Sequence, residues 1–152
     1  VPTWGPGEDP QCPPSARPAL EKCLSEHGAY EGDAAEVDGG KLADLALIRI
    51  GNGQGTDVYV IAQRGGVWRA VKNAFYEQGH GKASGTLTLK GIKDEQIAGA
   101  RVSRIDYHTA ETVEDHTDEA DAVMCCAWPA EGMPACEVSL KKDCAVANPK
   151  LP

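Results

Sequence analysis

Six cysteines, Cys12, Cys23, Cys125, Cys126, Cys136 and Cys144, sit at the two ends of this chain, and none lies between Cys23 and Cys125. An even number grouped in this way reads as disulfides that staple both ends to a cysteine-free body, which requires an oxidising compartment. The spacings C-x10-C and CC-x9-C-x7-C contain no C-x2-4-C knuckle, so a zinc finger or ribbon is set aside. The vicinal pair Cys125–Cys126 is not a C-x-x-C, and thioredoxin-type redox chemistry is set aside with it. The chain opens on Val1-Pro-Thr-Trp4 rather than on a charged and then apolar leader. That is how a secreted or periplasmic chain reads after its signal peptide is removed.

The 152 residues suit one domain. Lys plus Arg number 15 against 23 Asp plus Glu, a net charge of −8. A nucleic-acid partner is not expected from this balance, because affinity for phosphate backbones comes from Lys and Arg displacing counterions. No stretch approaches the roughly 20 apolar residues of a membrane-spanning helix.

Residues 1–14 are rich in Pro and Gly and read as an extended arm, since Pro fixes φ and lacks a donor. A helix is expected over 15–28. Ser15 is placed to cap it, Pro18 falls in the first turn, Gly28 stops it, and Leu20, Cys23, Leu24 and His27 form its apolar stripe. After an acidic, glycine-containing connector (29–40) the pattern changes to β-branched runs broken by Gly, Asn and Asp. Strands are expected near 43–50, 57–63, 67–75, 85–91, 99–111, 121–128 and 134–140. The expected fold is mainly β: a curled antiparallel meander of about seven strands, barrel-like or a sandwich, with one short N-terminal helix and disulfide staples. The globular domain would span 15–144, with the meander over 43–140 and a C-terminal tail over 145–152.

Two hairpins can be set in register. With Gly65-Gly66 as a two-residue turn, Ile61 falls opposite Ala70 and Val60 opposite Val71. One face then carries Val58, Val60, Ala62, Val71 and Phe75, and the other Tyr59, Ile61 and Trp68. Both faces are partly apolar, so something must cover each of them. Farther along, Cys125 and Cys126 point to opposite faces of one strand. Cys126 and Cys136 flank a turn on the same side and are the favoured pair, which leaves Cys12, Cys23 and Cys144 as candidate partners for Cys125.

Motifs for chemistry are sparse. A phosphate-binding loop needs Gly where Tyr76 stands and Ser or Thr where Ala83 stands, and the third glycine of a dinucleotide fingerprint falls on Thr56. Ser84 and His80 lack the strand–turn–helix elbow of a serine hydrolase. Acidic residues crowd 106–121 without a Lys or Arg, and Asp115, Asp118, Glu119 and Asp121 are the candidate ligands of a calcium ion, a hard cation that takes six to eight oxygens. His108 and His116 offer a weaker transition-metal alternative. The expected function is a secreted or periplasmic, non-catalytic module that binds or assembles with protein chains and needs no cofactor. The alternatives are a calcium-binding extracellular protein using the 111–121 loop, and a small secreted hydrolase or inhibitor.

Overall fold

The computed structural model describes residues 12–13, 15–26, 34–51, 55–79 and 81–144. Most of the expected arm, with Trp4, and the whole 145–152 tail lie outside the described residues. The described residues form one helix, α1 (Arg17–Glu26), and eight strands: β1 (Ala34–Glu36), β2 (Leu45–Gly51), β3 (Gly55–Arg64), β4 (Val67–Gln78), β5 (Ala83–Ile97), β6 (Ala100–Val113), β7 (His116–Ala127) and β8 (Ala135–Ser139). They pair strictly in chain order as two four-stranded antiparallel sheets, β1-β2-β3-β4 and β5-β6-β7-β8. The sheets stack and do not close into a barrel, so the sandwich is the form the meander takes.

Alternation along the strands explains the layers. In β2, Leu45 and Leu47 point between the sheets, while Ala46, Ile48 and Ile50 point outward. The core between the sheets joins these inward residues with Val58 and Val60 of β3, Leu87 and Leu89 of β5, Ile105 and Tyr107 of β6, and Met124 of β7. The outward face of the first sheet is also apolar, and α1 covers it with Leu20 and Leu24. The structure is therefore helix on sheet on sheet, which is how both apolar faces of the β3–β4 hairpin leave water.

The Gly65-Gly66 turn has φ of 66° and 82°, the left-handed pair that matches the twist of a two-residue hairpin. Ile61 pairs with Ala70 as expected, but Val60 pairs with Lys72 and not Val71, because irregularities between Val58 and Tyr59 and between Val60 and Ile61 each add a residue to β4. The assignment of side chains to faces survives those insertions. Ser15 does not cap α1. Its N–H and C=O bridge the backbone of Trp68 at 3.1 and 2.7 Å, and the first helical acceptor is the Ala16 carbonyl. The expected helix end at 27–28 lies outside the described residues. The connector holds an unexpected strand: Ala34, Ala35 and Glu36 pair with Ile50, Arg49 and Ile48.

All six cysteines are oxidised, as Cys12–Cys23, Cys125–Cys144 and Cys126–Cys136. Cys126 and Cys136 stand directly across β7 and β8 from each other. The other two bridges hold an outer cover onto each sheet: Cys12 belongs to the α1 layer, and Cys144 is buried with Val102, Val123 and Cys125 on the far side of β6 and β7.

Candidate functional site

Polar clasps join the two sheets at both ends of β2. At its start, Arg101 of β6 donates two hydrogen bonds to Asp44, at 2.7 and 2.8 Å, and a third to Asp94 at 3.0 Å. The Trp128 indole N–H donates to Ser103 Oγ at 2.8 Å, and that hydroxyl donates to Asp94 at 2.7 Å. The guanidinium groups of Arg64 and Arg101 lie 5.4 and 4.3 Å from the Trp128 ring centre, one contributed by each sheet. This end is closed on itself.

The other end of β2 opens into a groove. Arg49 has the inward parity of Leu45 and Leu47, so strand alternation alone delivers a cation to the margin of the core. It meets Glu77, near the end of β4, through bonds of 2.6 and 3.1 Å, and Arg49 Nη2 also donates to the Leu87 carbonyl at 3.0 Å. Glu77 accepts further bonds from Thr56 Oγ1 at 2.5 Å and from the Leu87 N–H at 2.8 Å. Burial by itself would push the Glu77 carboxyl up, but the bonds from Arg49, Thr56 and the Leu87 amide outweigh it and hold the group below the usual carboxylate range. The pair also takes over the backbone of Leu87 on the edge strand β5, accepting its N–H and donating to its C=O as a neighbouring strand would. Two residues on, Gly39 comes so close to β5 that a Cβ there would lie 2.3 Å from the Leu89 carbonyl oxygen. Only glycine fits that approach, and it covers the next stretch of the same edge.

The groove beside this pair has a volume of about 810 Å³ and is lined by Arg49, Thr56, Glu77, Gln78, Thr86 and Thr88, with Gly55, Gly79 and Gly85 exposing backbone. Gly55 is required by contact, since a Cβ there would fall 2.2 Å from the Glu77 carbonyl oxygen. Thr56 and Glu77 have the geometry of a nucleophile and its base. A carboxylate already engaged by a guanidinium and an amide is a poor proton acceptor, so this contact orients the threonine rather than activating it. Thr56 entered the sequence reading only as the failed third glycine of a dinucleotide fingerprint, and Arg49 was not a candidate, although inside the run Leu45-Ala-Leu-Ile-Arg-Ile50 it marks a charge at a core-facing position. Of the hydrolase candidates, Ser84 lies near the start of β5, and His80 lies outside the described residues.

The acidic candidates belong to the β6–β7 hairpin and not to a loop. The strands continue to Val113 and from His116, joined through Glu114 (φ 56°) and Asp115. Every residue from Val113 to Asp121 is exposed. The pleat divides the ligand candidates: Glu119 and Asp121 share a face with His108, Asp118 points to the opposite face, and Asp115 sits in the turn. Among the described residues no group of three or more His, Cys, Asp or Glu is placed to hold a metal ion. His116 contacts Asp118 at 2.9 Å. Near the base of the hairpin a cavity of about 220 Å³ is lined by Lys90, Arg104, Asp106, Asp121 and Lys142, with Lys90 bonded to Asp121 and Arg104 to Asp106. No helix is long and apolar enough to cross a membrane among the described residues. Comparison of the chain with protein-family models, with curated proteins and with solved structures gives no match.

Proposed function

We propose that this chain is a non-catalytic binding module of an oxidising compartment, secreted or periplasmic, that takes an extended segment of a partner protein into the groove between β4 and β5. Three disulfides support the compartment, because such bridges form and persist chiefly in oxidising environments. The observation that carries the binding role is the lining of the groove. Hydroxyls, one amide and bare glycine backbone face it, while its charged pair is neutralised internally. Such a surface rewards a ligand that supplies many neutral donors and acceptors along a line, which is what an extended peptide backbone offers. Among the described residues of the groove, a small charged substrate would find neither a free counter-charge nor an activated nucleophile.

The test is to pan a random peptide display library against the oxidised protein and measure the enriched peptides by fluorescence polarisation. The comparison is Thr86→Trp, which fills the groove from an exposed strand position and keeps high strand propensity. Peptides that bind the native chain and lose about tenfold or more in affinity to the variant, a difference of about 1.4 kcal/mol, support the proposal. Equal binding by the two proteins, with matching melting temperatures, moves the site elsewhere and overturns it, as does a library that yields no binder.

A further inference from the structure

One histidine on the exposed sheet face makes contacts that only one of its protonation states can satisfy. His108 lies opposite Asp121 in the β6–β7 ladder, and its Nδ1 is 2.9 Å from Asp121 Oδ1. Its Nε2 is 2.9 Å from Glu119 Oε1, two residues along the same strand. Both ring nitrogens thus face carboxylate oxygens, which accept and do not donate. The neutral imidazole carries one N–H and one lone pair, so it can serve one of these carboxylates and must repel the other; the imidazolium serves both.

The geometry points to a pH-sensitive clasp: protonated His108 pins Asp121 and Glu119 across the exposed end of the β6–β7 hairpin, and loss of its proton releases Glu119. Glu119 is the partner let go because Asp121 has a second one. Lys90 of β5 donates to the same Asp121 oxygen at 2.9 Å, so the chain Lys90–Asp121–His108–Glu119 ties β5, β6 and β7 together on one face. The remaining charged groups on this face of β6 are Asp106 and Arg104, which are bonded to each other, and Lys142 lines the cavity that Lys90 and Asp121 share. Glu119, once released, is left in a hairpin end that also carries Glu111, Glu114, Asp115 and Asp118 and has no Lys or Arg in its sequence. The titration agrees in direction. Bonds to Asp121 and then to Glu119 raise the His108 pKa above its usual value, and Lys90 and then His108 hold the Asp121 carboxyl down at about 2. A raised histidine pKa means the clasp is fully made below the unfolded-state value and is lost as pH rises through the folded-state value.

The experiment is an NMR titration of the intact, oxidised chain with assigned histidine side chains, together with amide exchange over 109–120. His108 is expected to titrate above about 6.5, and Glu119→Gln and Asp121→Asn are each expected to lower its midpoint by about half a pH unit or more. Amide protection in 109–120 should fall several-fold across that midpoint in the native chain, after division by the intrinsic exchange rate, and should not step in His108→Gln. All the altered side chains are on the exposed face, so near-UV circular dichroism should report the same packed core in each. A midpoint at or below the ordinary value, or the same exchange profile in the native chain and in His108→Gln, overturns the clasp.

Discussion

The outward faces of the two sheets have been settled in opposite ways. On the first sheet, Ala46, Ile48, Ile50, Tyr59 and Ile61 make an apolar surface, and α1 with the Cys12–Cys23 bridge roofs it. On the second sheet the corresponding face carries Thr86, Thr88, Arg104, Asp106, His108, Glu119 and Asp121, and among the described residues a cover is present only over Val102, Val123 and Cys125, where the chain returns to Cys144. Burial of apolar area drives the first arrangement, at roughly 25 cal/mol per Å² removed from water. The second face has little such area to gain, so its cross-strand pairs of hydroxyls and charges remain solvated, each worth a few tenths of a kcal/mol to about 1 kcal/mol. What differs between the sheets is thus how much the outer layer contributes to holding the fold. A region that contributes little to stability is free to carry a titrating group and a groove.

Removing a side chain from each face measures that difference. Leu20 is fully buried in the α1 interface, and Leu20→Ala should lower the unfolding free energy by about 2–5 kcal/mol, read as a drop in the urea midpoint at unchanged slope. Thr88→Ala on the other outer face should stay within about 0.5 kcal/mol. Comparable losses would show that the exposed face supports the fold as strongly as the roofed one, and the contrast drawn above would fail.

A second measurement asks whether the small cover on the second sheet matters. Cys125–Cys144 closes a loop with a sequence separation of 19, for which the chain-entropy model gives about 3 kcal/mol. The double variant Cys125→Ala/Cys144→Ala should lose about that much. The loss should be accompanied by faster amide exchange over 139–143, where Ser139 Oγ now donates to the Asp143 carbonyl at 2.6 Å and Arg104 donates to the Lys142 carbonyl at 3.1 Å. A loss near zero would mean that these bonds hold the return segment without the bridge.

The same contrast explains what could be read before the structure. Face assignments held wherever apolar residues alternated, as in Val58, Val60 and Ala62 against Tyr59 and Ile61, because the two extra residues fall in β4 and leave the alternation of β3 unbroken. The Cys126–Cys136 pair was legible for the same reason. Strand length was not. β5 runs to Ile97 and β7 starts at His116, yet Lys93-Asp-Glu-Gln96 and His116-Thr-Asp-Glu-Ala120 have the composition of loops, with low strand propensity. Those segments are strands because their neighbours supply a ladder, and no local pattern encodes a neighbour. The groove was hidden similarly: Arg49 and Glu77 are 28 residues apart and meet only after β2, β3 and β4 have paired.

The β6–β7 hairpin also carries the carboxylates that suggested calcium, and here the expected effect is the smallest. A calcium site requires six to eight oxygens converging at about 2.4 Å. Strand geometry works against convergence: Asp118 points away from Glu119 and Asp121, Asp121 is engaged by Lys90 and His108, and Asp115 lies beyond the end of the ladder. Drawing these groups onto one ion would require breaking the β6–β7 pairing at Ala110–Glu119 and Glu111–Asp118, so any binding would appear as a change in the hairpin and not only as added stability. Thermal unfolding with millimolar calcium, against magnesium at equal ionic strength, should therefore show no calcium-specific increase in melting temperature. A ligand at 100 times its Kd would add about 2.7 kcal/mol. An increase of that size would mean that the exposed hairpin refolds around an ion, and that the second sheet acquires its outer cover from solution.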